Sequence, residues 1–212
     1  MEVPWEPARF AQPRFRRVRD LLERIATPAW PSVEAIDEAF APELRGVGMR
    51  LIEAPKTRAA LAADGTIDPA SLYEVRIVER GEVPTRPHNL HDLLNAVVWA
   101  AFPRSKLALT TRLAEIQRTR AAGRATLPSA RSREHDRLAM IDEGAVLLVG
   151  GQSWIFGHAI YEHAYSGYLD VRGGAVALEV AEPSRAAIDR AFAEADFASA
   201  LRPGPGVPID DM

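Results

Sequence analysis

The sequence contains no cysteine. That removes disulfides, thiolate zinc sites and a cysteine nucleophile together. No apolar run reaches the roughly 18 residues needed to span a bilayer. The N-terminus lacks a basic segment followed by an apolar one, so no signal peptide is expected. No glycine-rich phosphate loop is present, because Gly150-Gly151 and Gly173-Gly174 are too short. There is no G-x-S-x-G elbow. The net charge of −3 gives no reason to expect nucleic acid or an anionic membrane as a partner. The arginine-rich stretches at 14–19 and 118–133 are offset by acids elsewhere and read as solvated faces. A cytoplasmic protein is expected; composition leaves its oligomeric state open.

What is present is a chain of 212 residues, 47% hydrophobic, enough for a substantial core. Residues 1–11 are proline-rich and read as an extended arm with Trp5 and Phe10 as anchors. Residues 12–202 read as a single domain, and 203–212 as a flexible tail. Apolar spacing predicts helices over 14–26, 33–40, 90–101, 105–121, 154–165 and 184–200. Alternation predicts strands over 47–52, 73–79, 145–149 and 175–180. Residues 123–135 read as a loop, and 138–149 as a hairpin around Asp142-Glu143-Gly144. The expected fold is α+β, with a small, mostly antiparallel sheet packed against several helices.

The chain is organised around residues 86–106. Asn89 is a good helix cap, with Asp92 three positions on. Polar groups at the start of an otherwise apolar helix are costly to bury unless they find partners. His91 and Asn95 share a helix face, and Trp99 continues it one turn later. His158 and Glu162 are also four apart on an expected helix. Two such pairs can supply one divalent ion from two helices. Asp136, Asp142 and Glu143, expected in loops, add carboxylates. With nitrogen and oxygen donors alone, zinc, manganese or iron is the candidate ion. Each residue also has an ordinary reading. Asp92 caps a helix or pairs with Arg86, His91 and Asn95 tie loops, and Trp99 and Phe102 fill the core. His88, His135 and His163 are expected on the surface.

Several motifs together resemble a known bacterial family. They are Tyr73–Ile77, Gly81–Arg86, Asn89–Trp99 and Phe102-Pro103-x-x-Lys106, followed by Asp136, Asp142-Glu143-Gly144 and Phe156-Gly157-His158-Ala159 with Glu162. They are similar, in the same order, to the family catalogued as domain of unknown function three-zero-two-five, over roughly residues 45–180. Leu90 stands where that pattern has Trp, and Thr110 where it has Asn. The resemblance implies a bacterial cytoplasmic protein and marks positions without supplying a mechanism.

The first reading is an enzyme whose reaction the sequence does not name, with a metal-assisted hydrolase of a small molecule as the best guess and its pocket between the His91 and His158 helices. His91, Asp92, Asn95 and His158 are the candidate catalytic residues. His91, Asp92, His158 and Glu162 are the candidate ligands, with Asp136 and Asp142 as weaker ones. The alternative is a non-catalytic binding or structural module in which the same side chains form a buried hydrogen-bond network.

Overall fold

The computed structural model describes residues 4–55, 59–168, 171–202 and 206–208. Pro7–Ala11 and Pro13–Phe15 are short 3-10 helices. Each opens with a proline, whose missing N–H is not needed at a helix start. Residues 7–11, expected as extended, are therefore helical. Phe10 reaches the core, and the Trp5 ring lies 5.7 Å from it. Residues 1–3 of the expected arm lie outside the described residues. Of the helix expected over 14–26, only α1 (Arg19–Glu23) is regular. Phe15, Val18, Leu21, Leu22 and Ile25 are nonetheless all buried. Helix α2 (Val33–Arg45) is capped by Ser32, whose hydroxyl accepts the Ala35 N–H at 3.2 Å. It continues through Pro42, past the expected end. Pro42 is exposed, and the burial of Leu44 carries the helix onward.

The chain then forms β1 (Arg50–Glu53), α3 (Tyr73–Arg80) and β2 (Glu82–Thr85). Strands β1 and β2 pair in parallel, with Arg50 opposite Glu82. Helix α3 stands where a strand over 73–79 is expected. Val75 and Ile77 are both buried, which is what produced the alternation. Two residues along a helix subtend about 200°, so these two side chains leave on nearly opposite sides. Ile77 joins the main core, while Val75 joins a smaller cluster with Ile67, Leu72, Ala114 and Ala121. A helix clamped between two apolar clusters mimics a strand. Gly81 ends it at φ 66°, and a β-carbon there would sit 2.4 Å from the Gly48 carbonyl oxygen.

Helix α4 (Leu90–Ala101) is buried on nearly every side. Its Asn89 cap accepts the Asp92 N–H at 3.0 Å, as the sequence implies. Only His91, Asp92 and Asn95 are half-exposed, forming one polar strip. Helix α5 (Pro103–Ala121) follows after Phe102, with Pro103 at its first position. Residues 123–132 form a loop as expected, while helix α6 (Arg133–Gly144) takes the last three residues of that expected loop and half of the expected hairpin. Ser132 caps it by accepting the His135 N–H at 3.1 Å. Leu138 and Ile141 are buried, and the helix runs directly into β3 (Ala145–Val149).

Strand β4 (Gln152–Ile155) takes the start of the helix expected from 154, leaving α7 (His158–Tyr165). Strand β5 (Arg172–Leu178) precedes α8 (Arg185–Ala193) and α9 (Phe197–Ala200), which divide the expected closing helix. Strand β6 (Val207–Pro208) falls in the expected tail, whose residues 203–205 and 209–212 lie outside the described residues. The second sheet has the order β4-β3-β5-β6. Strand β3 runs antiparallel to β4 and parallel to β5, and β6 runs antiparallel to β5. The α+β class holds. The small, mostly antiparallel sheet does not: the described residues form two sheets, one parallel and one mixed. A helix crosses between β1 and β2 and another between β4 and β5, and such crossovers permit parallel pairing. No helix among the described residues is long and apolar enough to cross a membrane.

Candidate metal centre

Three helices meet at the polar strip of α4. His91 projects from α4, His158 is the first residue of α7, and Asp142 and Glu143 end α6. The close approach of α6 and α7 depends on Gly157. A β-carbon there would lie 2.4 Å from the Glu143 carbonyl oxygen and from Gly144 backbone atoms. With no side chain at that position, His158 Nδ1 sits 2.9 Å from the Asp142 carbonyl oxygen. On the other ring, His91 Nδ1 lies 2.9 Å from Glu162 Oε2. The ring centroids are 4.5 Å apart at 75°.

These contacts set the tautomers. A carbonyl and a carboxylate can only accept, so each Nδ1 carries a hydrogen and donates it. Each neutral ring then presents a lone pair at Nε2, and the two Nε2 atoms are 3.1 Å apart. Glu143 Oε2 lies 3.3 Å from His158 Nε2. One ligand atom each from His91, Glu143 and His158 falls within 4.8 Å of the others. Three acceptors this close together can share a cation, either a proton or a metal ion. The outer contacts of the two histidines are those that orient metal-ligating imidazoles.

The electrostatics divide the pair. Burial pushes His158 down to about 4 despite the attraction of Asp142. The hydrogen bond to Glu162 raises His91 and, reciprocally, holds Glu162 below its ordinary value. Burial raises Glu143. For Asp142, burial acts upward, but attraction by Lys106 and His158 wins and holds it low. A pH dependence of stability follows for the metal-free protein. In the unfolded chain His158 takes up a proton near 6.5; in the folded chain it does so only near 4. Its contribution is present above pH 6.5 and is lost as pH falls towards 4, by about 3 kcal/mol over that window. His91, with its raised value, acts in the opposite sense. Urea unfolding at pH 7 and pH 4.5 should therefore show a flatter pH dependence in His158→Gln than in the parent. Equal slopes would mean that His158 pays no burial cost.

The other expected site residues have different surroundings. Asp92 accepts from Arg86 Nε, an Arg86 terminal nitrogen and the Arg86 backbone N–H, each at 2.8 Å. Asn95 Oδ1 accepts from Lys106 at 2.8 Å. Glu162 pairs with His91 across the helix interface and not with His158 on its own helix. Asp142 and Glu143 lie on α6, not in a loop. Asp136 is also on α6, exposed and two turns from Glu143. That is about 10 Å of helix, too far for a shared ion. Lys106, which the sequence marks only as a motif position, is buried and reaches Asp142 Oδ1 at 2.5 Å. His135, expected on the surface, is buried because α6 turns it inward. The Ser132 cap and the apolar spacing Leu138–Ile141 could have revealed that helix.

The cluster lines a pocket of about 420 Å³, which Tyr73, Glu74, Arg131 and His135 also line. Burial raises Glu74.

No curated protein matches the chain. Among solved structures it is similar to phenylalanine hydroxylase from the human pathogen Legionella pneumophila, with a TM-score of 0.43 and 8% identity. That likeness covers 74% of this chain and 68% of the other. His158 and Glu162 lie beyond the segment that a family model matches. Residues 61–153, which include the Asn89–Trp99 motif, Lys106 and Glu143, match the family described as Protein of unknown function (DUF3025), the family that the motifs resemble.

Proposed function

We propose that this chain is a metal-dependent enzyme, a hydrolase acting on a small molecule in the pocket beside His91, Glu143 and His158. The observation that carries the reading is the pair of Nε2 lone pairs facing each other at 3.1 Å with a carboxylate beside them. Two imidazoles and one carboxylate suit zinc or iron. A bound divalent ion would supply Lewis acidity, polarising a substrate carbonyl or phosphoryl group and acidifying water.

The chain's own residues do the rest. Glu162 and the Asp142 carbonyl hold the two rings in one tautomer. Lys106 holds Asp142 in place. Glu143, half-exposed and raised by burial, stands where it can bind the ion or carry a proton. Asn95 fixes its oxygen on Lys106, which directs its amide N–H groups elsewhere, and it lines the pocket.

The competing reading is a structural polar network. It draws on Asp92, Asn95 and Lys106, which are satisfied within the protein. A paired measurement on untagged protein separates the two. Metal content and urea unfolding are compared in the parent, His158→Gln, Glu143→Gln and Asp92→Asn. About one equivalent of metal is expected in the parent, with at least a tenfold loss of affinity in His158→Gln and Glu143→Gln. Asp92→Asn should retain metal and lose about 1–2 kcal/mol of stability, through weakened bonds to Arg86. A parent that binds no zinc, manganese or iron would sink the enzyme reading.

A further inference from the structure

The pocket that holds the histidine pair is also lined by two side-chain donors that no group among the described residues accepts. His135 is 5% exposed and lines the pocket. Its Nδ1 lies 3.3 Å from an Arg120 terminal nitrogen. A guanidinium can only donate, so Nδ1 holds a lone pair and the hydrogen is on Nε2. Among the described residues no group accepts that Nε2–H. Burial first, and then the charges of Arg120 and Arg131, disfavour a second proton on the ring.

The same Arg120 also shapes the approach to this part of the pocket. Its other terminal nitrogen donates to the Pro128 and Ala130 carbonyls, at 2.7 and 3.3 Å. That fixes the loop just before Arg131. Arg131 lines the pocket, attracted by the Glu74 carboxylate, and makes no hydrogen bond to a described residue. One arginine thus sets the tautomer of one free donor and the position of the other.

We propose that His135 Nε2–H and Arg131 form a subsite for a carboxylate of the substrate, in the pocket that also holds His91 and His158. One cation and one neutral donor beside Glu74 match a single negative charge better than a phosphate dianion. Helix α6 gives the scale. His135, Ala139 and Asp142 face the pocket along it, and seven residues of helix span about 10.5 Å. The substrate is then an elongated small molecule whose carboxylate lies on the order of 10 Å from the reacting bond. This assignment rests on the enzyme reading above for what happens at the far end, but its binding test does not.

The test uses the full chain freed of metal, titrated with glutarate and, separately, with inorganic phosphate. Binding is followed by calorimetry and by the ¹⁵N signal of the His135 ring. The expected result is saturable glutarate binding that shifts the His135 Nε2 resonance and weakens at least tenfold in Arg131→Gln. Arg131 is exposed, so that variant should fold. His158→Gln should bind glutarate as the parent does. No saturable shift at His135, or unchanged affinity in Arg131→Gln, would overturn the subsite. Phosphate binding tighter than glutarate would overturn the carboxylate assignment. A zinc titration of the same proteins keeps the two ideas apart. Zinc bound without glutarate fails the subsite alone, and glutarate bound without zinc fails the metal centre alone.

Discussion

Replacing Lys106 by methionine should lower the free energy of unfolding by about 3–5 kcal/mol, the usual cost of stripping one partner from a buried ion pair. Lys106 is 2% exposed. Its ammonium reaches Asp142 at 2.5 Å and Asn95 at 2.8 Å, and lies 5.6 Å from the centre of the Trp99 ring. Methionine fills nearly the same volume, so the loss is electrostatic and not a cavity. Asp142→Asn added to Lys106→Met should recover part of the loss, because it removes the orphaned charge. The pH dependence should also change sign. With Lys106 present, Asp142 is held below its ordinary value, so its contribution is lost as pH falls. Without Lys106, burial dominates and raises Asp142, so stability should then be lost as pH rises. The Asp142 carbonyl orients His158, so zinc affinity should fall by about 10–100-fold, as for other outer contacts of metal ligands. Urea unfolding and zinc titration measure both. A variant within about 1 kcal/mol of the parent would show that the pair is well hydrated.

Trp99→Ala should cost about 3–5 kcal/mol in urea unfolding, as for a large aromatic removed from a packed core. Trp99 is 1% exposed, on the side of α4 that continues the His91–Asn95 strip inward. Its ring forms part of the cage around the Lys106 ammonium, so the two substitutions should be non-additive. A double variant less destabilised than the sum of the singles is expected. A melt that hardly moves in Trp99→Ala would mean that α4 is rotated from the phase described here.

The sequence by itself determined the local features whose causes are local. The Asn89 cap, the proline start of α5 and the apolar spacing of 90–101 are each set by residues a few positions apart. So was the polar strip of His91, Asp92 and Asn95, because helical phase alone puts them together. The absence of cysteine left nitrogen and oxygen as the donors, and His91 and His158 were legible as candidates from residue type and spacing.

Only the tertiary structure decided what those residues face. Asp92 turned to Arg86, and Glu162 turned across a helix interface to His91 and away from its sequence neighbour His158. Glu143 came to the histidine pair because Gly157 lets two helices touch, a fact about contact between segments far apart in the chain. The strand expected over 73–79 became a helix for a similar reason. Burial on two opposite sides gives a period of two in either conformation, and only the second cluster, built from Ile67, Ala114 and Ala121, distinguishes them. Periodicity reports how many sides of a segment are buried; which neighbours bury them is a property of the whole fold.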